Sequence, residues 1–284
     1  MRCRRVSLAL GVVLLLTLGV LSFFYGARAR HLLGLAYTGE EPENEPIVSS
    51  RPLSAWIADL QSERPMVRRQ AAETLGESGS SFPKSPNIVQ PLIRCLGDSE
   101  EFVRPAVVQS LGKIALWNRE AQPPLYDAIK DQSNPLVRAK AAAALGGIRA
   151  ESSVTVPVLT LALKDPEAIV RLEAASSLGL IRAERSTSVP ALVSALQDVD
   201  PLVQAKAVNS LSRFGSEAKD AVEPLINLLH APDREVRRGA AYALGAIGPM
   251  AKVAMPALRK SLNDEDKIVC DAASEALRRI SSSE

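Results

Sequence analysis

Hydrophobic residues recur along most of the chain in a helical pattern that is repeated several times. The stretch VRAKAAAALGGI begins at Val137, and near copies begin at Val170 (VRLEAASSLGLI) and at Val236 (VRRGAAYALGAI). The first valine, the small residue four later, the leucine eight later and the apolar residue eleven later share one face of a helix. This spacing predicts an amphipathic helix in each copy, helix B, with that stripe in the core.

The first valine of each copy, here called the marker valine, recurs at intervals of 33 to 36 residues, at Val67, Val103, Val137, Val170, Val203, Val236 and Val269. A proline opens an apolar run upstream of six copies, at Pro91, Pro124, Pro157, Pro190, Pro224 and Pro256. Proline is tolerated in the first turn of a helix, so a second helix, helix A, is expected to begin near each proline. Because one helix pair cannot bury its apolar face alone, we predict an all-α solenoid of about seven two-helix repeats over residues 51–284.

The pattern D-x-x-x-x-V-R-x-x-A-A-x-x-L-G, as in Asp165 to Gly179, resembles HEAT repeats of the short, phycobilisome-lyase-like type, and the resemblance covers residues 51–284. The signatures of tetratricopeptide and ankyrin repeats, which have nearly the same period, are absent. The resemblance implies a stack with helix B on the concave surface. It also implies a ladder of side chains in which turn aspartates pair with the arginine after the marker valine, such as Asp98 with Arg104 and Asp165 with Arg171.

Three further structural expectations concern glycine, tryptophan and cysteine. The glycine of each L-G pair, such as Gly146, is expected to cap the end of helix B. Trp56 and Trp117 are expected to be buried, because a large apolar ring is costly to leave in water. Cys95 and Cys270 are expected to be small buried side chains without an intrachain disulfide, since they fall in distant repeats.

The first thirty residues differ in composition from the rest. Arg2, Arg4 and Arg5 precede an uncharged run over residues 6–25, which as a helix would rise about 30 Å, enough to cross a bilayer. We predict an uncleaved membrane anchor; the alternative is a signal peptide, because Ala27 and Ala29 form an A-x-A cleavage pattern. Residues 31–50, with TGEEPENEP from Thr38, are predicted to be an acidic linker. The solenoid is thus expected to be tethered outside the cytoplasm, or to be secreted or periplasmic after cleavage.

Charge argues against a nucleic-acid partner. The net charge is +2, but all five charges in residues 1–30 are arginines, and the remaining chain carries 29 basic and 32 acidic residues. A nucleic-acid-binding protein needs a basic face, which this balance does not supply.

The sequence also offers little for catalysis. Its histidines are His31, beside the apolar segment, and His230, which is expected to be a solvated turn residue. Nucleotide-binding and serine-hydrolase motifs are absent, so no cofactor and no small-molecule substrate are expected. The resemblance offers an alternative, an enzyme or enzyme subunit related to phycobilin lyases or deoxyhypusine hydroxylase. The His-Glu pairs that carry iron in the hydroxylase do not occur in this sequence.

The positions of helix B that avoid the core are candidates for contact with a partner. They lie three and six residues after the marker valine, at positions +3 and +6, and are small or mixed in charge. The candidate contact residues are Gln109, Lys140, Lys206, Asn209 and Tyr242 at these positions, together with Arg213, one turn beyond Asn209. Lys206, Asn209, Arg213 and Tyr242 form the most distinctive cluster, in repeats five and six. We predict a non-enzymatic scaffold that binds a protein or peptide. The rival to this interpretation is a purely structural spacer.

Overall fold

The computed structural model describes residues 46–78, 88–148 and 151–281. Fourteen α-helices lie in these ranges and form seven consecutive pairs. The A helices are α1 (Leu53–Asp59), α3 (Val89–Arg94), α5 (Pro123–Ala128), α7 (Ser152–Ala162), α9 (Arg185–Ala195), α11 (Val222–Leu228) and α13 (Met255–Ser261). The B helices are α2 (Pro65–Ser78), α4 (Val103–Ala115), α6 (Pro135–Gly147), α8 (Ala168–Ile181), α10 (Pro201–Phe214), α12 (Arg234–Ile247) and α14 (Lys267–Ser281).

The predicted stripe on helix B forms the core. The marker valines of repeats two to seven are at most 2% exposed, and the residue four later is fully buried in all seven repeats. Each B helix packs against its own A helix and against the B helix of the next repeat, so the seven pairs form one continuous hydrophobic cluster. The predicted α-solenoid is therefore confirmed for the described residues.

Neighbouring B helices approach most closely where a glycine faces a small side chain. A Cβ atom added to Gly146 would lie 2.2 Å from the Ser177 hydroxyl oxygen, and Gly76 and Gly179 face Ser110 and Ser210 in the same way. These glycines lie inside their helices, so the expected role as helix caps is wrong. Their absent side chains allow close helix packing. Two other glycines, Gly215 and Gly248, directly follow the B helices α10 and α12 and have positive φ.

The buried serines use this close approach to bond across the repeat interface. Ser110 donates to the carbonyl oxygen of Ala72 at 2.7 Å, Ser177 to that of Ala142 at 2.8 Å, and Ser210 to that of Ala175 at 2.7 Å. Each bond joins one B helix to the B helix of the preceding repeat.

Two A helices begin earlier than the prolines predict. Pro157 lies inside α7 and Pro190 lies inside α9, each about a turn and a half from the start of its helix. Both prolines are exposed, so the backbone carbonyl that loses its partner faces water, which can hydrogen-bond to it. In repeats six and seven, 3₁₀ segments, Gly215–Ala221 and Gly248–Ala254, precede the A helix.

A short β-hairpin closes the N-terminal end of the described solenoid. Strand β1 (Ile47–Val48) pairs antiparallel with β2 (Arg51–Pro52) around a turn in which Ser49 and Ser50 both have positive φ, 47° and 65°. The buried Trp56 donates its indole N–H to the Val48 carbonyl oxygen at 2.9 Å, and the Arg51 guanidinium lies 4.4 Å from the centre of its ring. The last five residues of the predicted linker, 46–50, therefore fold with the first repeat.

Trp56 is buried as predicted, whereas Trp117 is 60% exposed. Trp117 lies two residues after the end of α4, in the connection to repeat three, and none of the described elements buries its ring, so the expectation of burial is wrong. Cys95 and Cys270 are free and half-buried.

Over the described residues, the stretch Arg234–Ser261 passes the length and composition criteria for a membrane span. It comprises α12, a 3₁₀ segment and α13, and half of its most apolar part is buried in the stack, which identifies it as solenoid core. The predicted anchor, residues 6–25, lies outside the described residues.

Candidate partner-binding face

The arginines after the marker valines lie between repeats and hold neighbouring turns together. Arg138 donates from Nε and a terminal nitrogen to both carboxylate oxygens of Asp165, at 2.7 and 2.9 Å, and Arg171 bonds Asp198 in the same way. We call such a bidentate pair an inter-repeat clamp. The four clamps are Arg68 with Asp98, Arg138 with Asp165, Arg171 with Asp198, and Arg237 with Asp264.

The ladder between repeats is therefore present, but the expected pairs are wrong. Each clamping arginine bonds the aspartate of the following turn, whereas it reaches only a backbone carbonyl of its own turn. Arg171, for example, donates to the carbonyl oxygen of Asp165 at 2.9 Å. In every repeat, the residue after the marker valine donates to a backbone carbonyl oxygen of its own turn, even where that residue is Gln204 or Cys270 instead of arginine.

Among the described residues, two joints between repeats have no clamp. In repeat six the turn position that would hold the aspartate is Ala231, and the preceding repeat carries Gln204 at the donor position, so both partners are missing. Between repeats two and three the turn is one residue longer, and Asp131 accepts bonds from Ser133 and Asn134. There the Asn134 amide donates to the carbonyl oxygen of Glu101 at 3.0 Å.

The clamps fix the ionisation of their aspartates. The hydrogen bond from Arg68 lowers the pKa of Asp98 below its ordinary value. Burial alone would raise the pKa of Asp165, but the bonds from Arg138 and from backbone N–H groups lower it overall. Arginines paired in this way have little donor capacity left, so they do not form a free row for an anionic ligand.

The predicted contact residues all lie on B helices. Gln109, Lys140, Asn209 and Arg213 are exposed, Tyr242 is 48% exposed, and Lys206 is half-buried. The structure thus places them at the surface, as a partner-binding role requires.

A groove joins two of the predicted residues. It has a volume of about 600 Å³, lies between the B helices of repeats five to seven, and is lined by Asn209, Glu235, Arg238, Gly239, Tyr242, Ile268, Asp271 and Ala272. Gly239 contributes no side chain, which leaves the floor open between Asn209 and Tyr242. Lys206 and Arg213 lie one turn before and after Asn209 on α10 but do not line the groove, and Gln109 and Lys140 belong to repeats two and three.

One wall of the groove is held by charged contacts. The Arg279 guanidinium lies 5.4 Å from the centre of the Tyr242 ring, and Arg279 also donates to Glu275 at 2.7 Å. Hydrogen bonds from Arg278 and Arg279 lower the pKa of Glu275 to about 2. The tyrosine ring is therefore held in position by a cation–π contact at the edge of the groove.

The groove also includes two residues at position −1, directly before the marker valine: Glu235 and Ile268. Position −1 carries a large apolar residue in every repeat except the sixth, and each is substantially exposed: Met66 (63%), Phe102 (41%), Leu136 (48%), Ile169 (44%), Leu202 (65%) and Ile268 (39%). We call these six residues the apolar row. The apolar row is not among the contact residues predicted above, although its signal, a large apolar residue before the marker valine, is readable in the sequence.

Positions −1, +3 and +6 are spaced as i, i+4 and i+7, so they share one face of each B helix. We call this surface the B face. It does not contain a metal-binding cluster: among the described residues, no group of three or more histidine, cysteine or carboxylate side chains could hold a metal ion. His230 is an exposed turn residue, as predicted.

The sequence matches the HEAT repeats family model over residues 53–146, 115–179, 155–219 and 189–278. Among curated protein sequences, none matches this chain.

Solved structures share the fold at low sequence identity. The Escherichia coli protein YibA is 23% identical, with 80% of this chain and 81% of YibA covered at a TM-score of 0.61. The complex of CpcE and CpcF of phycocyanin lyase from Nostoc sp. is 24% identical, with 84% of this chain and 97% of that chain covered at 0.50. The karyopherin Kap121p, bound to the extreme C-terminus of the protein phosphatase Cdc14p, is 19% identical, with 80% of this chain and 29% of Kap121p covered at 0.59.

Proposed function

Because the chain belongs to the HEAT-repeat family, whose repeats of this lyase-like type stack into a solenoid, we propose that it is a non-enzymatic scaffold that binds a protein or peptide on its B face. The observation that carries this proposal is the groove lined by Asn209, Gly239 and Tyr242, which lies on the same face as the apolar row. Tyrosine is enriched in the energetically important part of protein interfaces, and here its ring is already held in place before a partner arrives.

Site-specific photo-crosslinking tests the proposal. A photoreactive residue replaces Tyr242 in the full-length chain, and a matched one replaces Leu161, which is exposed on α7, an A helix. A partner on the B face should crosslink at Tyr242 and not at Leu161. Blocking the groove with Asn209→Arg, at an exposed position that lines it, should abolish the Tyr242 crosslink while the thermal unfolding midpoint stays within a few degrees. Equal crosslinking from both positions would refute a B-face scaffold.

We also propose that residues 6–25 anchor the protein in a membrane, with the solenoid outside the cytoplasm. Support comes from the length of the uncharged run and from the arginines before it. An anchored chain should stay in the membrane pellet after alkaline carbonate washing and should begin at its original N-terminus. A soluble chain that begins near residue 30 would instead indicate a cleaved signal peptide.

A further inference from the structure

We propose that the apolar row, together with the acidic turns beside it, binds an extended and basic protein segment that carries an apolar side chain at every third residue. This inference rests on the proposed scaffold function and specifies the chemistry of the partner. It differs from the predicted contact cluster in repeats five and six, because it extends the interface to the first turns of the B helices in repeats one to five and seven.

The apolar row is not a chance scatter of exposed hydrophobic residues. Single exposed apolar side chains are normal on protein surfaces, but contiguous apolar patches usually mark interaction sites. Here the same position carries a large apolar side chain in six of seven repeats, and these side chains are 39% to 65% exposed. In the described part of the chain, no other element covers them.

The row is continuous with the groove. Ile268 lines the groove together with Ala272, one helical turn further along α14, and Glu235 lines it together with Gly239 on α12. Positions −1 and +3 of repeats six and seven therefore form one surface.

Carboxylates flank the apolar row on the side of the turns. Over the described residues, Glu63, Glu100, Glu101 and Glu167 take part in no hydrogen-bonded ion pair. Other turn carboxylates are already engaged: Asp200, Asp233 and Asp266 cap helices, and the clamp aspartates hold arginines. Among the described residues on this side of the row, the unpaired carboxylates outnumber the basic side chains without an ion pair, Arg64 and Lys267, so charge complementarity favours lysine or arginine on the bound segment.

The distance between neighbouring members of the apolar row favours a bound segment in an extended conformation. Packed helices lie about 8 to 10 Å apart, and the glycine-to-serine contacts place these B helices at close range. A polyproline II segment advances about 3.1 Å per residue with three residues per turn, so every third side chain returns to the same side about 9 Å further on. An apolar residue at every third position can thus meet each repeat in turn, with basic residues between them.

The probe is a synthetic peptide of five Leu-Lys-Pro triplets, measured by surface plasmon resonance on the full-length chain. Two control peptides have the same length: one has the same composition in scrambled order, and one carries glutamate in place of lysine. The triplet peptide should bind, whereas both controls should bind at least about tenfold more weakly. Equal binding of the scrambled peptide would overturn the proposed register, and equal binding of the glutamate peptide would overturn the proposed charge.

Matched variants locate the bound peptide. Leu136→Glu with Leu202→Glu changes two members of the apolar row that are 48% and 65% exposed. The control, Val154→Glu with Leu161→Glu, changes two side chains on α7 that are 47% and 70% exposed and lie outside the row. The row variant should lower affinity for the triplet peptide at least about tenfold, and the control should leave it unchanged. Equal effects of the two variants would overturn the inference.

A gain of affinity provides the strongest check, because misfolding cannot mimic it. Glu235→Leu completes the apolar row in repeat six, where Glu235 is exposed and paired only with neighbouring arginines. A peptide of seven triplets should bind this variant several-fold more tightly than the unchanged chain. If all triplet peptides fail to bind while the Tyr242 crosslink persists, the inference fails and the scaffold proposal stands. If the crosslink is also absent, both fail.

Discussion

Two adjacent glycines in α6 have different surroundings, and they should respond to the same substitution in opposite ways. An alanine Cβ at position 146 would lie 2.4 Å from the Ser177 Cβ and 2.7 Å from its Cα, so α6 and α8 would have to separate. At position 147 no atom outside the local helix lies within 4 Å. We predict that Gly146→Ala lowers the free energy of unfolding by about 1 to 3 kcal/mol through overpacking.

Gly147→Ala is the control for that measurement. It should be neutral or should stabilise the chain by up to about 1 kcal/mol, because alanine favours the helix more than glycine does. Urea denaturation of both variants checks the difference. Similar effects of the two substitutions would contradict a close helix contact at Gly146.

The turn between β1 and β2 places two serines in a backbone conformation that serine disfavours. Ser49 and Ser50 have φ values of 47° and 65°, which match a two-residue hairpin turn in which asparagine and glycine are preferred. Ser49→Asn with Ser50→Gly should raise the free energy of unfolding by about 1 kcal/mol. The measurement is hydrogen exchange of the hairpin amides together with urea denaturation. Ser194→Gly, in the last turn of α9, should instead destabilise the chain, and a stabilising effect there would show that glycine acts nonspecifically.

At the scale of helices, the joint between α10 and α12 lacks a clamp because both partners are absent. Gln204→Arg with Ala231→Asp should install it, since the other clamps place the same two positions at 2.6 to 3.0 Å. Ala231→Asp alone buries a carboxylate without a partner, because Ala231 is 9% exposed, and it should be destabilising.

A double-mutant cycle measures the new clamp. The two substitutions together should show a favourable coupling of about 1 to 3 kcal/mol. The reverse cycle, with Arg171→Gln and Asp198→Ala, removes an existing clamp and serves as the reference. Additive effects at positions 204 and 231 would contradict our interpretation of the missing clamp.

The sequence predicts those features of the fold that depend on the spacing of residues close together in the chain. The stripe from Val170 to Ile181 repeats at helical spacing, so the B helices and their core face follow directly from it. The partner of an arginine depends on which turn the stack brings next to it, and for this reason the predicted pair of Arg171 with Asp165 is wrong and the partner is Asp198. The exposure of Trp117 depends in the same way on neighbours that are distant in sequence.

The candidate site is likewise predictable from the sequence only where it depends on the spacing of nearby residues. Asn209 and Tyr242 could be placed on one face from their spacing, because both lie six residues after a marker valine. Whether Lys206 lines the same groove depends on how α10 and α12 pack around Gly239. A sequence pattern does not give this packing. The apolar row was readable in the sequence, but its exposure follows only from the described part of the structure, in which no element covers it.

At the scale of the whole molecule, the clamps make stability depend on pH. Asp98, Asp165, Asp198 and Asp264 all have a pKa below the unfolded value of 3.8. Groups with a lowered pKa in the folded state contribute stability that is fully present above pH 3.8 and is lost as the pH falls through the folded values. The urea midpoint should therefore be flat near neutral pH and should fall steeply below about pH 4.

The variant Arg138→Gln checks the cause of this dependence. It releases one clamp aspartate, so its urea midpoint should be lower at neutral pH and should fall less steeply in acid. Arg94→Gln, an exposed arginine outside the clamps, should leave the slope unchanged. An unchanged slope for Arg138→Gln would show that other carboxylates govern the acid transition.

The joints of the stack differ in the polar bonds that cross them. Clamps and serine-to-carbonyl bonds both occur at the joints of repeats one and two, three and four, and four and five. Over the described residues, neither kind occurs between repeats two and three or between repeats five and six. Native-state hydrogen exchange should therefore resolve three groups of amides, in repeats one to two, three to five and six to seven. A single free energy of opening for all core amides would contradict this division.

The uneven joints also have a mechanical consequence. If the chain is tethered at one end and a partner pulls on the other, the load passes through every repeat in series, and the stack yields first where the fewest bonds resist separation. In an optical trap the molecule should lengthen in three discrete steps and not in seven or in one. Among the described residues, no ion pair crosses the joint between repeats two and three, and one exposed pair, Arg185 with Glu217, crosses the joint between repeats five and six, so these two joints should part before the others. Their positions would let the first two and the last two repeats swing under low force while the central three keep their shape, so the protein would act as a compliant link.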